Sequence, residues 1–292
     1  MEHDVMRNQA IDAPDKRIVI LTGAELRHDF FRRFLALQPG INVLRSYCEG
    51  TEKSLRNLVR RQQGAKSWRE RHLQARDCAE QDFFRLFIET TPDRSIPCHI
   101  PKGDINLQEH VEAIRNLQPD LLVAYGCSII RSSLLQDFAG RFVNIHLGLS
   151  PWYRGSGTNF WPLVNDEPEL VGVTFMHIDA GVDTGRIIHQ MRADICWADT
   201  PHTIGNRLIR DMAGIAARLV QRFDTLCEMP SPPRPSQERY YRKQDFTEEA
   251  VAQLYENFQN GMIQRYLAER LGREARCPIM QNPAILEEEA PS

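Results

Sequence analysis

No CxxC pair, no apolar run near the ~20 residues that span a bilayer and no surplus of basic charge occur in this 292-residue chain, and each absence removes a class of protein. The seven cysteines (Cys48, Cys78, Cys98, Cys127, Cys196, Cys227, Cys277) are odd in number and widely spread. They fit neither a disulfide framework nor a zinc ribbon, and read as reduced thiols of a cytoplasmic protein. The first fifteen residues, MEHDVMRNQAIDAPD, lack the apolar core of a secretory signal and read as a flexible N-terminal tail. Lys plus Arg (36) against Asp plus Glu (39) leave a net charge of -3, so no global basic field points to nucleic acid or to an anionic membrane. There is no HExxH, no Cys/His set at zinc spacing and no calcium-type acidic loop, so no metal is expected; His99 beside Cys98 is too little.

What the chain does contain is enough apolar residue, 42%, to bury a substantial core. The run RIVILTG (residues 17–23) is a β-branched strand pattern, followed by Leu26, Phe30, Phe34 and Leu37 at helical spacing. After the turn signal Pro39-Gly40 a second strand is expected over residues 41–47, the β-α-β opening of a doubly wound sheet. Asn106 and Glu109 suggest a capping box for a helix carrying Leu107, Val111, Ile114 and Leu117, and LLVAY (121–125) reads as a buried parallel strand. Further strands are expected at 142–146, 172–178 and 186–195, then a helix capped by Thr200 with Pro201 at its first position and Ile204, Leu208, Ile215, Leu219 and Phe223 along one side.

Two segments depart from this rhythm. Residues 51–80 hold eight Lys or Arg against four acids, which suits either a solvated helical hairpin or an edge that meets an anionic substrate or partner. MPSPPRPS (229–236) cannot hold a regular element and reads as a linker. Beyond it, a helix starting near Thr247 carries Val251, Leu254, Tyr255, Phe258, Met262 and Tyr266, a stripe that needs the main domain or a second subunit as cover, so a homodimer through this helix is expected. The end, AILEEEAPS, is expected to be disordered.

The chemistry concentrates in residues 142–190. Asn144 and His146 share one face of a strand, at the edge where α/β sheets place ligands. An amide donor beside an imidazole suits a carbonyl that must become tetrahedral: one stabilises the oxyanion, the other donates to it or moves a proton. In GVDTG (181–185), Asp183 could reach back to orient His146. Asp179 competes for that role; the close approach that Gly185 permits favours Asp183, but spacing alone does not separate them.

N-I-H (144–146), L-S-P-x-x-R-G (149–155) and D-A-G-V-D-T-G-R-I-I (179–188), in this order, resemble the catalytic domain of the folate-dependent formyltransferases, a family that includes methionyl-tRNA, glycinamide ribonucleotide and sugar-nucleotide N-formyltransferases and formyltetrahydrofolate hydrolases. The resemblance covers about residues 16–224 and is densest over 119–190. It implies a Rossmann-like formyltransferase fold with a mostly parallel sheet, here with a small C-terminal helical unit over 225–292. It implies Asn144, His146 and Asp183 as the catalytic set, 10-formyltetrahydrofolate as formyl donor, and Tyr125, Gly126, Cys127, Ser128 and Ile130 as the loop beside the donor's pterin. Tyr153, Arg154, Gly155 and Trp161 are the candidates for contact with the acceptor, whereas His177 and His189 read as structural.

Departures shape the substrate expectation. The family's usual H-P-S-L-L-P stands here as His146-Leu147-Gly148-Leu149-Ser150-Pro151, so Gly148 replaces a serine. TGAELRH lacks the phosphate-binding loop of the glycinamide ribonucleotide enzymes, and the 68 residues after 224 lack strand periodicity for the barrel of the tRNA enzymes. The expected activity is therefore N-formyl transfer to a small amine such as an amino-sugar nucleotide, with the hydrolase and an inactive folate-binding protein as alternatives.

Overall fold

The computed structural model describes residues 14–52, 57, 59, 67–181, 183–232 and 238–286. Strands β1 (Lys16–Gly23), β2 (Ile41–Glu49), β3 (Pro97–Ile100), β4 (Leu121–Tyr125), β5 (Phe142–His146), β7 (Gly172–His177) and β8 (Ile187–Arg192) form one sheet in the order β3-β2-β1-β4-β5-β7-β8. The first five pair in parallel, and β7 is antiparallel to both β5 and β8. A separate two-stranded parallel ribbon joins β6 (Tyr153–Gly155) to β9 (Arg239–Tyr241).

Side-chain alternation along β1 explains the layers. Ile18 and Ile20 face a core built with Phe30 and Phe31 of helix α1 (Leu26–Ala36), Phe84 of α2 (Trp68–Thr90) and Leu208 and Met212 of α6 (Pro201–Gln221). Val19 and Leu21 face the opposite core, with Val111 and Ile114 of α3 (Gln108–Leu117) and Leu134 of α4 (Ser132–Asp137). A sheet covered on both faces needs apolar residues at consecutive positions, which is what RIVILTG and LLVAY supply. Thr200 Oγ1 accepts from Thr203 N at 3.1 Å and opens α6 over Pro201, as the cap signal predicts. The helix stops at Gln221, one residue short of a 3₁₀ turn that carries Phe223.

Several expectations change. Asn106 does not cap α3, whose N-cap is Leu107; its side chain instead donates to Ile129 O at 3.0 Å and accepts from Arg131 N at 2.7 Å. Of the basic segment, Lys53, Arg56, Arg60, Arg61 and Lys66 lie outside the described residues, and Arg69, Arg71 and Arg76 belong to the 23-residue α2, which packs one face against α1 and α6 and leaves the other exposed. In the proline-rich segment, residues 233–237 lie outside the described residues.

The C-terminal residues are not wholly helical. They supply β9 to the ribbon, then α5 (Trp161–Val164) receives α7 (Glu248–Gln259), followed by α8 (Met262–Ala275) and α9 (Pro283–Leu286). Asn260-Gly261, with Gly261 at φ +75°, divides the expected single helix in two. Val251, Leu254, Met262 and Tyr266 are fully buried within this chain, and Asn257 Nδ2 donates to Leu163 O and Val164 O at 2.9 and 2.8 Å. The homodimer expected through this stripe therefore loses its surface, because the main domain already covers it. In AILEEEAPS, Ala284–Leu286 belong to a helical turn with Ile285 fully buried, contrary to the expected disorder, and residues 287–292 lie outside the described set. Among the described residues, no helix is long and apolar enough to cross a membrane.

Candidate active site

Connections leave β1 and β4 toward opposite edges of the sheet, which opens a crevice outside their carboxyl ends. A cavity of about 1130 Å³ fills it, bordered by Gly23 at the end of β1, Gly126 after β4 and His146 at the end of β5. Asn144 and His146, two residues apart, point the same way from β5. The turn after β7 brings Asp183 to both: Asn144 Nδ2 donates to Asp183 Oδ1 at 3.3 Å, and His146 Nδ1 lies 3.3 Å from the same oxygen.

Two backbone groups complete the arrangement. Gly155 N donates to Asp183 Oδ2 at 3.2 Å, and His146 Nε2 lies 3.1 Å from Tyr153 O. The ring is thus held at both of its nitrogens. Asp183 holds this position at φ +54°, a left-handed conformation that costs a non-glycine residue on the order of 1 kcal/mol or more. Gly185 lets the turn close on β7: a Cβ there would stand 1.7 Å from His177 O. Asp179 has a different task, accepting from Gly181 N and from Thr184 Oγ1, both at 2.9 Å, within the turn. Gly148 is explained by contact as well. A Cβ at 148 would sit 2.6 Å from His146 Nε2 and 2.6 Å from Thr158 Cβ, so Thr158 occupies the space a serine would need.

The loop after β4 is fastened from behind. Glu49, at the end of β2 and 1% exposed, accepts from Gly103 N at 2.9 Å and from Ser128 N, and pairs with Lys102 Nζ at 3.0 Å. Burial alone would raise its pKa, but Lys102 and the hydrogen-bond donors from 103 and 128 hold it below the ordinary carboxylate value. Tyr125, Gly126, Cys127, Ser128 and Ile130 all border the cavity. Burial pushes the Cys127 thiol up to about 12, so it is no nucleophile at neutral pH.

On the other face of the sheet, α1, α2 and α6 contribute charged and titratable side chains. Arg27 pairs with Glu80 at 2.8 Å, and Glu25 Oε2 lies 2.7 Å from His28 Nδ1 at the start of α1. Burial opposes the ionisation of Glu25, yet His28 and Arg27 hold it well below the carboxylate range. The rings of His72 and His202 are 4.7 Å apart, and burial lowers them to about 3 and about 4, which keeps both neutral at pH 7.

The formyl transferase family model matches residues 70–217, half of the chain. The chain belongs to the formyl transferase family. Methionyl-tRNA formyltransferase from Desulforamulus reducens is 33% identical over 125 residues, covering 42% of this chain and 39% of that protein. The Synechocystis sp. methionyl-tRNA formyltransferase is 31% identical over 163 residues, covering 54% of this chain and 49% of that protein. The match thus spans half or less of the length of these curated relatives. Among solved structures, phosphoribosylglycinamide formyltransferase from Anaplasma phagocytophilum aligns with 78% of this chain and 98% of its own, at a TM-score of 0.51 and 14% identity. A sugar N-formyltransferase from Shewanella sp. FDAARGOS_354 aligns over 79% and 78%, at 0.52 and 17%. At such identities the likeness shows the shared fold.

In this chain, the four candidates for acceptor contact separate. Gly155 borders the cavity. Tyr153 is fully buried, Arg154 pairs with Glu238 at 3.1 Å, and Trp161 stacks on Tyr241 at 4.0 Å and 6°, so these three form the wall behind the cavity instead of its lining. Sequence reasoning missed Glu25, Arg27, His28, His72 and His202, and also Tyr240 in β9 and Arg242 after it, all of which border the cavity, as do Arg76 and Glu80 of the basic segment. The strand-end position of TGAELRH is the signal that could have found the first three. His189 Nδ1 accepts from Asn282 N at 3.0 Å, as a structural histidine should.

Proposed function

We propose that this chain transfers the formyl group of 10-formyltetrahydrofolate to the amine of a small molecule. The observation that carries the reading is the convergence of Asn144, His146 and Asp183, through one shared carboxylate oxygen, on a cavity large enough for two substrates. The acceptor nitrogen attacks the formyl carbon, forming the new C–N bond. Asn144 Nδ2, through its second hydrogen, and His146 Nδ1, whose hydrogen the bound substrate shares with Asp183 Oδ1, donate to the oxygen that takes the developing charge, and Asp183 accepts the ammonium proton directly or through a water. Collapse breaks the bond to the donor nitrogen, which takes back the proton held by Asp183, directly or through the same water, and leaves as tetrahydrofolate. The 126–130 backbone, pinned by Glu49 and Asn106, fits the edge of a flat heterocycle.

An amino-sugar nucleotide is the acceptor we favour. Tyr240, half exposed, and Arg242, 5.9 Å from its ring centre, border the cavity and suit a base and its phosphates. At the start of α1, where a phosphate could otherwise meet free backbone N–H groups, the chain places the ionised Glu25. The test is tetrahydrofolate release from 10-formyltetrahydrofolate, with and without amino-sugar nucleotides, using His146→Ala as control. Acceptor-dependent release lost in the variant supports the reading; acceptor-independent release would replace it with a hydrolase.

A further inference from the structure

Strand β6 lies outside the seven-stranded sheet, yet its backbone touches two of the three reacting-site residues: Tyr153 O meets His146 Nε2, and Gly155 N donates to Asp183. Three residues cannot hold such a position unaided, since an isolated strand is not stable in water. What holds β6 is β9, in the register Tyr153↔Arg239, Arg154↔Tyr240 and Gly155↔Tyr241. The ladder continues at both ends, from Arg239 N to Trp152 O at 2.9 Å and from Ser156 N to Tyr241 O at 2.8 Å. The approach is close enough that Gly155, at φ +94°, has no room for a side chain: a Cβ would stand 2.2 Å from Tyr241 O.

Alternation along β9 sends Arg239 and Tyr241 into the wall, away from Tyr240. Arg239 makes a two-pronged ion pair with Glu167 at 2.6 and 3.0 Å, and its guanidinium lies 5.3 Å from the Tyr153 ring centre. The Tyr153 hydroxyl accepts from Arg239 at 3.1 Å and from Asn165 at 2.8 Å and donates to Glu167, which uses its full hydrogen-bonding capacity. Tyr241 stacks on Trp161, and its hydroxyl accepts from Asn165 at 3.1 Å. Arg239, Glu167, Tyr153 and Asn165 thus form one connected polar and aromatic cluster, the kind that fixes one geometry.

We propose that Arg239 and Glu167 are positioning residues for formyl transfer: they lock β9 to β6, and β6 sets the His146 ring and the Asp183 carboxylate relative to Asn144. The proposal rests on the formyl-transfer reading, and it makes the C-terminal segment part of the reaction machinery. Residues chosen from the sequence as acceptor contacts, Tyr153 and Trp161, act through His146 and Asp183 instead.

The test combines kinetics with nitrogen-15 spectra of labelled histidines in the full chain. In Arg239→Ala, the His146 ring signals should move while those of His189, anchored on Asn282, stay in place. Turnover should fall ~10- to 100-fold with KM for both substrates changed by less than about twofold, and Arg239→Lys, which keeps one prong, should restore part of the rate. Unmoved His146 signals in a folded variant, equal movement of the His189 signals, or a KM rise that accounts for the loss would each overturn the proposal. If Arg239→Ala fails to fold, Glu167→Gln, which keeps the shape and weakens the pair, carries the same expectations. The spectra need no turnover, so a wild-type chain that transfers no formyl group would reject the activity while the spectra still decide the coupling.

Discussion

The two ends of the cavity are built on different principles. At the end formed by residues 126–130, side chains fix the backbone of the loop: Glu49 ties Ser128 and Gly103, and Asn106 ties Ile129 and Arg131. At the end formed by α1, α2 and α6, side chains face the space directly, and their charge is set by pairing, as in Arg27–Glu80, or by burial, as in His72 and His202. An end fixed by its backbone suits one unchanging ligand, whereas a side-chain-lined end can be rewritten residue by residue. The formyl-transfer proposal accordingly assigns the donor to the first end and acceptor choice to the second. Asn144, His146 and Asp183 lie at the junction.

The largest effect should come from that junction. Asn144→Ala removes one donor to the developing oxyanion, and turnover should fall ~10²- to 10³-fold with the melting curve almost unchanged; steady-state kinetics that retain near-normal rates would dissolve the site. At the backbone end, Glu49→Gln weakens charge-assisted bonds, so KM for the formyl donor should rise roughly tenfold while KM for the acceptor stays put. The folded-state pKa of Glu49 lies below its ordinary 4.5, so its stabilisation is complete above that value and is lost as pH falls through the lower, folded-state one.

At the side-chain end the pH dependence has another window. Above 6.5 both histidines are neutral, folded or unfolded. As pH falls below 6.5 the unfolded chain takes up protons that the folded chain refuses until about 4 for His202 and about 3 for His72. Stability should therefore decline over that range by about 1.4 kcal/mol per pH unit per histidine. Denaturant titrations of His72→Phe and His202→Phe should show a shallower decline, and an unchanged slope would mean the rings are solvated. The smallest effect belongs to Arg154→Ala, which breaks a partly exposed pair with Glu238: less than about 1 kcal/mol in denaturant titration, and no change in either KM.

What the sequence disclosed depended on distance along the chain. The N-I-H pair was legible because strand periodicity alone puts Asn144 and His146 on one face. Asp183, 39 residues from Asn144, was favoured over Asp179 only on the strength of Gly185, and its left-handed backbone leaves no mark in the sequence. Of the parallel strands, β1, β2, β4 and β5 were legible because double-sided burial demands consecutive apolar residues, whereas the short, largely exposed β3 was not. Tyr153, Arg154 and Trp161 were assigned to the acceptor because their partners, Arg239, Glu238 and Tyr241, lie some 80 residues away. The stripe of Val251, Leu254 and Met262 announced that it needed cover, but amphipathicity does not name the cover. Glu49 was overlooked because a lone carboxylate at a strand end resembles a solvated one until Lys102 and Ser128 are folded around it.

The most direct test follows the formyl carbon itself. With carbon-13 in the formyl group of the donor, the wild-type chain should move the label onto the nitrogen of an amino-sugar nucleotide, seen by NMR as a new formamide, and Asp183→Ala should leave it on the donor. Label appearing as free formate, or on the acceptor at the wild-type rate in Asp183→Ala, would contradict the assignment of formyl transfer to Asn144, His146 and Asp183.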